Sequence, residues 1–318
     1  MTHDSVAVII PCYNGSAFIA EAIESALAQT HSKLEIVVVN DGSTDGSSAV
    51  LRRYASRVRI VEQENQGVAA ARNRGIETST SPFIAFLDQD DRWRPEKTVR
   101  QLASLRRHPE AALVFCDRLW IDDRGGRIDP PPHRRPSTPW LRALIRGNFI
   151  LPSTVLLRRD ALGAERFVPG TAGSDDWDLW LRLAARWELV HLAEPLVEYR
   201  VHACNASRDT EAMMRGFLTV LSRAIDRGLP PDVLREADAH RRGVLEALGH
   251  YAFERHDWIE ARRFFRQGRV RWRSPAGFRL LLASLPPPLR SLAQQVRRLR
   301  GTRRFRSARH ESVIRSTA

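Results

Sequence analysis

Lysine is almost missing from this chain: Lys33 and Lys97 are its only two among 318 residues, although Lys and Arg together number 50. Cysteine is also scarce. Cys12, Cys116 and Cys204 are odd in number, widely spaced and in no C-x-x-C arrangement, which argues against a disulfide framework or a zinc site. They are expected to be reduced and mostly buried. No apolar run approaches the roughly 18 residues that argue a membrane span. The first residues, Met1-Thr2-His3-Asp4-Ser5, lack the basic start and apolar core of a secretory signal, so a cytoplasmic protein is expected. Also absent is any Ser, His and Cys placement that suggests a nucleophile triad.

The net charge of +13 is unevenly spread. Residues 1–202 hold 26 basic and 26 acidic side chains, whereas residues 203–318 hold 24 against 11. From Arg262 onward there are 16 Arg and a single acid, Glu311. Such a stretch is attracted to polyanions, an anionic membrane surface among them. Its apolar residues Phe278, Leu280, Leu281, Leu282, Leu285, Leu289 and Leu292 add the character of a peripheral membrane segment. The scarcity of lysine leaves genome composition as a second explanation for the arginines. A nucleic-acid partner is not expected, because residues 1–202 are neutral and show no interleaving of aromatic and basic residues.

The first hundred residues alternate strand and helix patterns. Val6 to Ile10, Leu34 to Val39, Val58 to Val61 and Phe83 to Leu87 read as strands. Helical spacing fills Ala17 to Gln29, Thr44 to Tyr54, the stretch after Gly67 and that after Pro95. Repeated βα units predict a mostly parallel sheet with a nucleotide as default ligand. Residues 129–139 carry five prolines and read as a loop. A strand near Thr154 to Leu157, a helix from about Asp175 to Arg186 and a last strand at Leu196 to His202 follow; beyond them the pattern is helical.

The densest signal is Asp88-Gln89-Asp90-Asp91 directly after the apolar run Phe83 to Leu87. Carboxylates this close cannot all ionise cheaply, and a hard divalent ion such as Mg²⁺ or Mn²⁺ relieves the conflict. Parallel strands share their carboxyl edge, so Pro11-Cys12-Tyr13-Asn14-Gly15 and Asn40-Asp41-Gly42-Ser43 should meet Asp88 and Asp90 in one crevice. There Tyr13 could stack on a base and Asp41 could accept from base or ribose, although Asn-Asp-Gly is also ordinary turn chemistry. Arg72 suits a diphosphate, a solvated helix face being the alternative. In Ser174-Asp175-Asp176-Trp177-Asp178, Ser174 is placed to cap a helix and acids to stabilise its dipole. An acid beside such aromatic bulk also gains the raised pKa of a general base.

In order, Val8-Ile9-Ile10-Pro11-Cys12-Tyr13-Asn14, Asn40 to Asp45, Gly67 to Asn73, Phe86 to Asp91 and Asp175 to Arg182 closely resemble the family 2 glycosyltransferases, over about residues 5–202. The resemblance implies the α/β GT-A fold and inverting transfer of a sugar from a nucleotide diphosphate to an acceptor hydroxyl. It implies donor contacts at Pro11, Tyr13, Asp41, Arg72 and Asp88, with Asp88 and Asp90 as the D-x-D metal pair for Mn²⁺ or Mg²⁺. Asp176 would be the catalytic base, and His202 a further candidate near the metal and phosphates. One departure stands out: the family's usual Glu-Asp reads Asp175-Asp176 here. The expected organisation is a catalytic unit at 1–202, split into a nucleotide-sugar half (1–105) and an acceptor half (106–202), then a helical, Arg-rich extension at 203–318. Donors would be UDP-, GDP- or dTDP-sugars and the acceptor a glycan or lipid-linked sugar in cell-surface polysaccharide or glycolipid synthesis, with the acceptor pocket built from loops such as 118–152. Two other classes compete. A sugar-nucleotide nucleotidyltransferase would want a glycine-rich triphosphate loop after the first strand, and a non-catalytic polyanion-binding protein would explain the basic tail alone.

Overall fold

Alternation of apolar faces is what organises this chain, and a computed structural model describes it for residues 4–129, 139–203, 205, 209–270 and 274–284. The first half runs β1 (Val6–Cys12), α1 (Ile19–Leu27), β2 (Leu34–Asp41), α2 (Ser47–Arg52), β3 (Arg59–Gln63), α3 (Val68–Thr78), β4 (Phe83–Phe86), β5 (Arg92–Trp93) and α4 (Lys97–Arg107). The second runs β6 (Ala111–Ile121), β7 (Arg127–Ile128), α5 (Trp140–Arg146), β8 (Val155–Arg158), α6 (Arg159–Leu162), α7 (Asp175–Ala184) and β9 (Glu188–Arg200). Four helices close the described chain: α8 (Thr210–Asp226), α9 (Pro231–Glu254), α10 (Trp258–Gln267) and α11 (Pro275–Ser284).

The strands form one mixed sheet in the order β3-β2-β1-β4-β8-β6-β9-β5, with β7 paired to β6. Neighbours from β3 to β4 are parallel, as are β6 and β9; β8, β5 and β7 pair antiparallel. Because side chains alternate across a strand, β1 sends Val6, Val8 and Ile10 to one apolar layer with α1 and Ile9 to the other. Each fully buried aliphatic side chain of this kind contributes about 1.5–3 kcal/mol. The second layer is continuous from Ile9 through Trp177 and Phe217 to Ala283, so the C-terminal helices share core with the sheet. Close approach of α3 to β1 depends on Gly75, where an added Cβ would lie 2.3 Å from Ile9 Cγ2.

Several sequence expectations need correction. Strand β6 lies where the sequence analysis names no element, although its run Ala111-Ala112-Leu113-Val114-Phe115-Cys116 carries a strand signal. Residues 118–152 are therefore not all loop, since they include the end of β6, β7 and α5. The last strand begins at Glu188 and stops at Arg200, short of His202. Helix α2 starts only at Ser47, after Gly46, and neither Ser43 nor Thr44 caps it. Helix α4 starts at Lys97 rather than at Pro95. Ser174 holds the N-cap position of α7 but makes no capping bond. Of the apolar residues expected to enter a bilayer, Leu280 and Leu282 are instead buried in the shared core, whereas Phe278 and Leu281 are exposed. Leu285, Leu289, Leu292, the arginines beyond residue 284, Cys204 and most of the proline loop lie outside the described residues.

Candidate active site

Parallel pairing brings the carboxyl ends of β1, β2 and β4 to one edge, where short loops are stitched together by side chains. Asn14 Oδ1 accepts from the Thr44 amide at 2.8 Å, while the Asn14 amide donates to Ser43 Oγ at 3.1 Å. Gln89, the middle residue of D-x-D, clamps the backbone of Tyr13: its Oε1 accepts from the Tyr13 amide at 2.9 Å and its Nε2 donates to the Tyr13 carbonyl at 3.1 Å. Gly15 makes room, because a Cβ there would lie 2.3 Å from Gln89 Oε1. This leaves the Tyr13 side chain 46% exposed at the mouth of the crevice, with Pro11 buried behind it.

Asp41 is buried and already engaged. Its Oδ1 accepts from Gln63 Nε2 at 2.7 Å and the Gln66 amide at 2.9 Å, and its Oδ2 from the Gly67 amide at 2.8 Å. These bonds tie the end of β2 to the turn that launches α3, and so set where Arg72 emerges.

Arg72 is buried and bridges two acids. Its Nη2 donates to Asp88 Oδ1 at 2.7 Å and its Nη1 to Asp175 Oδ2 at 2.9 Å, with Phe167 packed under the guanidinium at 5.3 Å. Burial alone would lower its pKa, but Asp88, Asp175 and Asp176 outweigh it and hold the group charged. The sequence reading aimed Arg72 at a diphosphate and did not foresee this bridge. Asp90 lies apart from it, with Oδ2 2.9 Å from His202 Nε2. Desolvation and then the neighbouring Asp88 push the Asp90 carboxyl above its ordinary range, an effect partly offset by His202. A divalent cation would relieve that conflict, and both carboxylates keep some exposure, 28% for Asp88 and 21% for Asp90, so the donor set fits a hard ion. Among the described residues no group of three or more His, Cys, Asp or Glu is arranged to hold a metal by itself.

The first turn of α7 distributes three acids to three tasks. Asp175 takes Arg72; Asp178, fully buried, pairs with Arg182 and with Arg227 at the end of α8. Asp176 receives Asn148 Nδ2 on Oδ2 at 2.9 Å and the Trp177 amide on Oδ1 at 2.7 Å, and no cation pairs with it among the described residues. Burial first, and Asp175 second, push its pKa up to about 7. The two tryptophans hold the wall that carries Asn148: Trp177 Nε1 donates to the Leu144 carbonyl at 2.7 Å and Trp180 Nε1 to that of Ile150 at 3.0 Å.

The structure thus joins Asp88, Arg72 and Asp175 through one bridge, with Asp176 next in the chain to Asp175, and sets Asp90 with His202. Asn148, Gln89 and Arg200 were not legible as site residues. Buried Arg200 donates Nε to the Asp90 carbonyl at 2.9 Å and Nη2 to Glu21 at 2.7 Å, holding the acidic turn from beneath. Only the tertiary fold brings these partners together.

Comparison with known proteins agrees with this geometry. The model of "Glycosyl transferase family 2" matches residues 7–164. An uncharacterized glycosyltransferase of Rickettsia typhi is 31% identical over 235 residues, covering 69% of this chain and 73% of its own. A putative teichuronic acid biosynthesis glycosyltransferase, TuaG of Bacillus subtilis, is 31% identical, covering 62% of this chain and 79% of its own. Among solved structures, the mannosyltransferase PcManGT of Pyrobaculum calidifontis in complex with GDP-Man and Mn²⁺ superposes with a TM-score of 0.59 at 20% identity, covering 91% of this chain and 83% of that one. That likeness carries the GT-A fold, and the sequence matches carry the family: the chain belongs to glycosyltransferase family 2.

Proposed function

We propose that this enzyme moves a sugar from a UDP-, GDP- or dTDP-sugar to the hydroxyl of a glycan or lipid-linked acceptor, with inversion, in cell-surface polysaccharide or glycolipid synthesis. The observation that carries the reading is the Arg72 bridge from Asp88, on the donor side, to Asp175, whose neighbour Asp176 has the pKa of a usable base. The reading assigns residues 1–202 to the catalytic unit, with the donor at 1–105 and the acceptor at 106–202, and residues 203–318 to an extension. Tyr13, Pro11 and Asp41 shape the nucleoside pocket, Tyr13 offering an exposed ring.

In the proposed step Asp176 takes the proton from the acceptor hydroxyl as its oxygen attacks the anomeric carbon, and Asn148 orients the carboxylate. One displacement inverts the centre, with no covalent sugar on the enzyme. Asp88 and Asp90, with His202 beside them, would hold Mn²⁺ or Mg²⁺, which when bound stabilises charge on the departing diphosphate. PcManGT, described with GDP-Man and Mn²⁺, supports donor class and metal; TuaG, named for teichuronic acid biosynthesis, supports a surface-polysaccharide acceptor.

No helix among the described residues is long and apolar enough to cross a membrane. A cytoplasmic enzyme that reaches a lipid-linked acceptor through its Arg-rich C-terminal stretch is the placement proposed. The nucleotidyltransferase alternative is weakened by Pro11 to Gly15, which lacks a triphosphate loop. A panel of nucleotide sugars with Mn²⁺ tests the function by thermal shift: a true donor at 100 times its dissociation constant adds about 2.7 kcal/mol of stability. If no nucleotide sugar stabilises the protein, the reading is wrong.

A further inference from the structure

Strand β6 carries a guanidinium that the fold leaves largely unspent. Arg118 lies beyond the register shifts at Asp117, paired across β9 with Val197, while Trp120, two residues on, pairs with Tyr199. Residues two apart share a sheet face, so arginine and aromatics lie together. The Arg118 Cζ sits 5.1 Å from the Trp120 ring centre and 5.8 Å from that of Tyr199, and these rings meet edge to face.

What surrounds the cation is poor in acceptors. Among the described residues its one hydrogen bond runs from Nη1 to the Phe149 carbonyl at 3.4 Å, and its Nε is closed off from solvent with no partner. No carboxylate among the described residues forms an ion pair with it. Of the other arginines that leave a nitrogen unsatisfied, Arg72 holds two acids and Arg159 reaches two carbonyls at 2.6 and 3.1 Å, whereas Arg223, outside the candidate site, has one carbonyl at 3.2 Å. Desolvation lowers the Arg118 pKa, opposed by Tyr199, Asp91, Asp117 and Cys116. A half-buried guanidinium with a closed-off Nε and idle donors is costly, and an incoming anion with two oxygens would satisfy its fork.

Position says which anion. Phe149 follows Asn148, the residue that donates to Asp176. The carbonyl that holds the cation thus belongs to the residue next to the one that orients the proposed base, in the stretch assigned to the acceptor. We propose that Arg118, walled by Trp120 and Tyr199, binds an anionic group of the acceptor, a phosphate or a sugar carboxylate, and so selects acceptors that carry such a charge near the reacting hydroxyl. This rests on the glycosyltransferase reading above and narrows its acceptor class. The rings offer faces on which a sugar can lie while the guanidinium grips its charge.

The test titrates glucose 1-phosphate, glucuronate and glucose into wild type, Arg118→Gln and Arg118→Lys, with and without UDP and Mn²⁺. Wild type should bind at least one anionic probe roughly tenfold more tightly than glucose, the scale of one charge-assisted hydrogen bond. Arg118→Gln should lose that preference, and Arg118→Lys should retain only part of it, since an ammonium cannot make the planar fork. The two anionic probes tell phosphate from carboxylate. Equal binding of all three probes by wild type, or an anion preference that survives in a folded Arg118→Gln, overturns the proposal. A drop in UDP affinity in Arg118→Gln also overturns it, by giving the cation to the donor. Titrations without nucleotide keep the two readings separable: failure of wild type to bind UDP counts against UDP as donor and leaves the anion preference to be read on its own.

Discussion

Arg72 donates Nη1 to Asp175 Oδ2 at 2.9 Å across 103 residues of chain, while its Nη2 holds Asp88 Oδ1. The helix that carries the proposed base is thereby pinned to the turn that carries the D-x-D acids. The shorter side chain of Asp175, where the family usually has Glu, still reaches Arg72 because α3 and α7 meet the sheet on the same side.

Breaking that pair should move the pH profile. Asp175 is one of the causes that raise the Asp176 pKa to about 7, and Arg72 is one that lowers it. In Asp175→Asn a negative neighbour is lost and Arg72 has one carboxylate fewer to serve, so both changes favour ionised Asp176. The acid limb of kcat/KM should therefore shift to lower pH, with a milder loss of rate than in Asp176→Asn. An unmoved or raised limb, measured from pH 5 to 9, would show that Asp175 does not act on the base.

Wild-type kcat/KM should rise with pH and level off above about 7, because Asp176 must be deprotonated to accept the hydroxyl proton. Asp176→Asn should cut turnover by roughly 10² or more with donor binding intact, the usual contribution of a general base. The same carboxyl has a stability signature of defined sign. Its folded pKa, about 7, exceeds the ordinary 3.8, so its contribution is fully present below about 3.8 and is lost as pH rises through about 7. Comparing the denaturation midpoints of wild type and Asp176→Asn across that window checks the sign; near-normal turnover of the variant would refute the assignment.

Asp90→Asn should abolish transfer and weaken metal-dependent nucleotide binding while the fold persists, since the Asp90 carboxyl is pushed up by burial and by Asp88 and is relieved in part by His202. Calorimetry with UDP or GDP, with and without Mn²⁺, reads this directly. Full activity of the variant, or of wild type in excess EDTA, would remove the metal from the mechanism.

Gly75→Ala should destabilise the fold by about 1–3 kcal/mol through overpacking, because the new methyl would enter the space of Ile9 Cγ2 at 2.3 Å. Urea denaturation measures it, and an unchanged midpoint would mean that α3 can shift away from β1.

Removal of residues 286–318 should abolish binding to vesicles that contain anionic lipid while sparing sugar-nucleotide hydrolysis, given about 1 kcal/mol for each arginine near such a surface. Equal sedimentation with neutral and anionic vesicles would end the membrane proposal, and loss of solubility on truncation would favour packing against the enzyme. Burial of Leu280 and Leu282 leaves Phe278 and Leu281 as the described apolar residues free to insert.

Much of the layout of the candidate site was local enough to be read from the chain. Apolar runs ending in Asp41 and Asp88 are strands whose polar ends must emerge at the edge they share, because parallel pairing aligns carboxyl termini. Asp176 was legible for the same reason, as an acid inside a tryptophan-rich helical stripe. Tertiary structure decided the rest. Nothing in the spacing of residues 72, 88 and 175 says that one guanidinium joins two acids, that Asn148 rather than a cation faces Asp176, or that Arg118 has aromatic walls and no acid. Local propensity and periodicity depend on neighbours a few residues apart, whereas the protonation of Asp176 and the charge of Arg72 depend on burial and on partners brought close only when α3, α7 and β6 pack on one sheet.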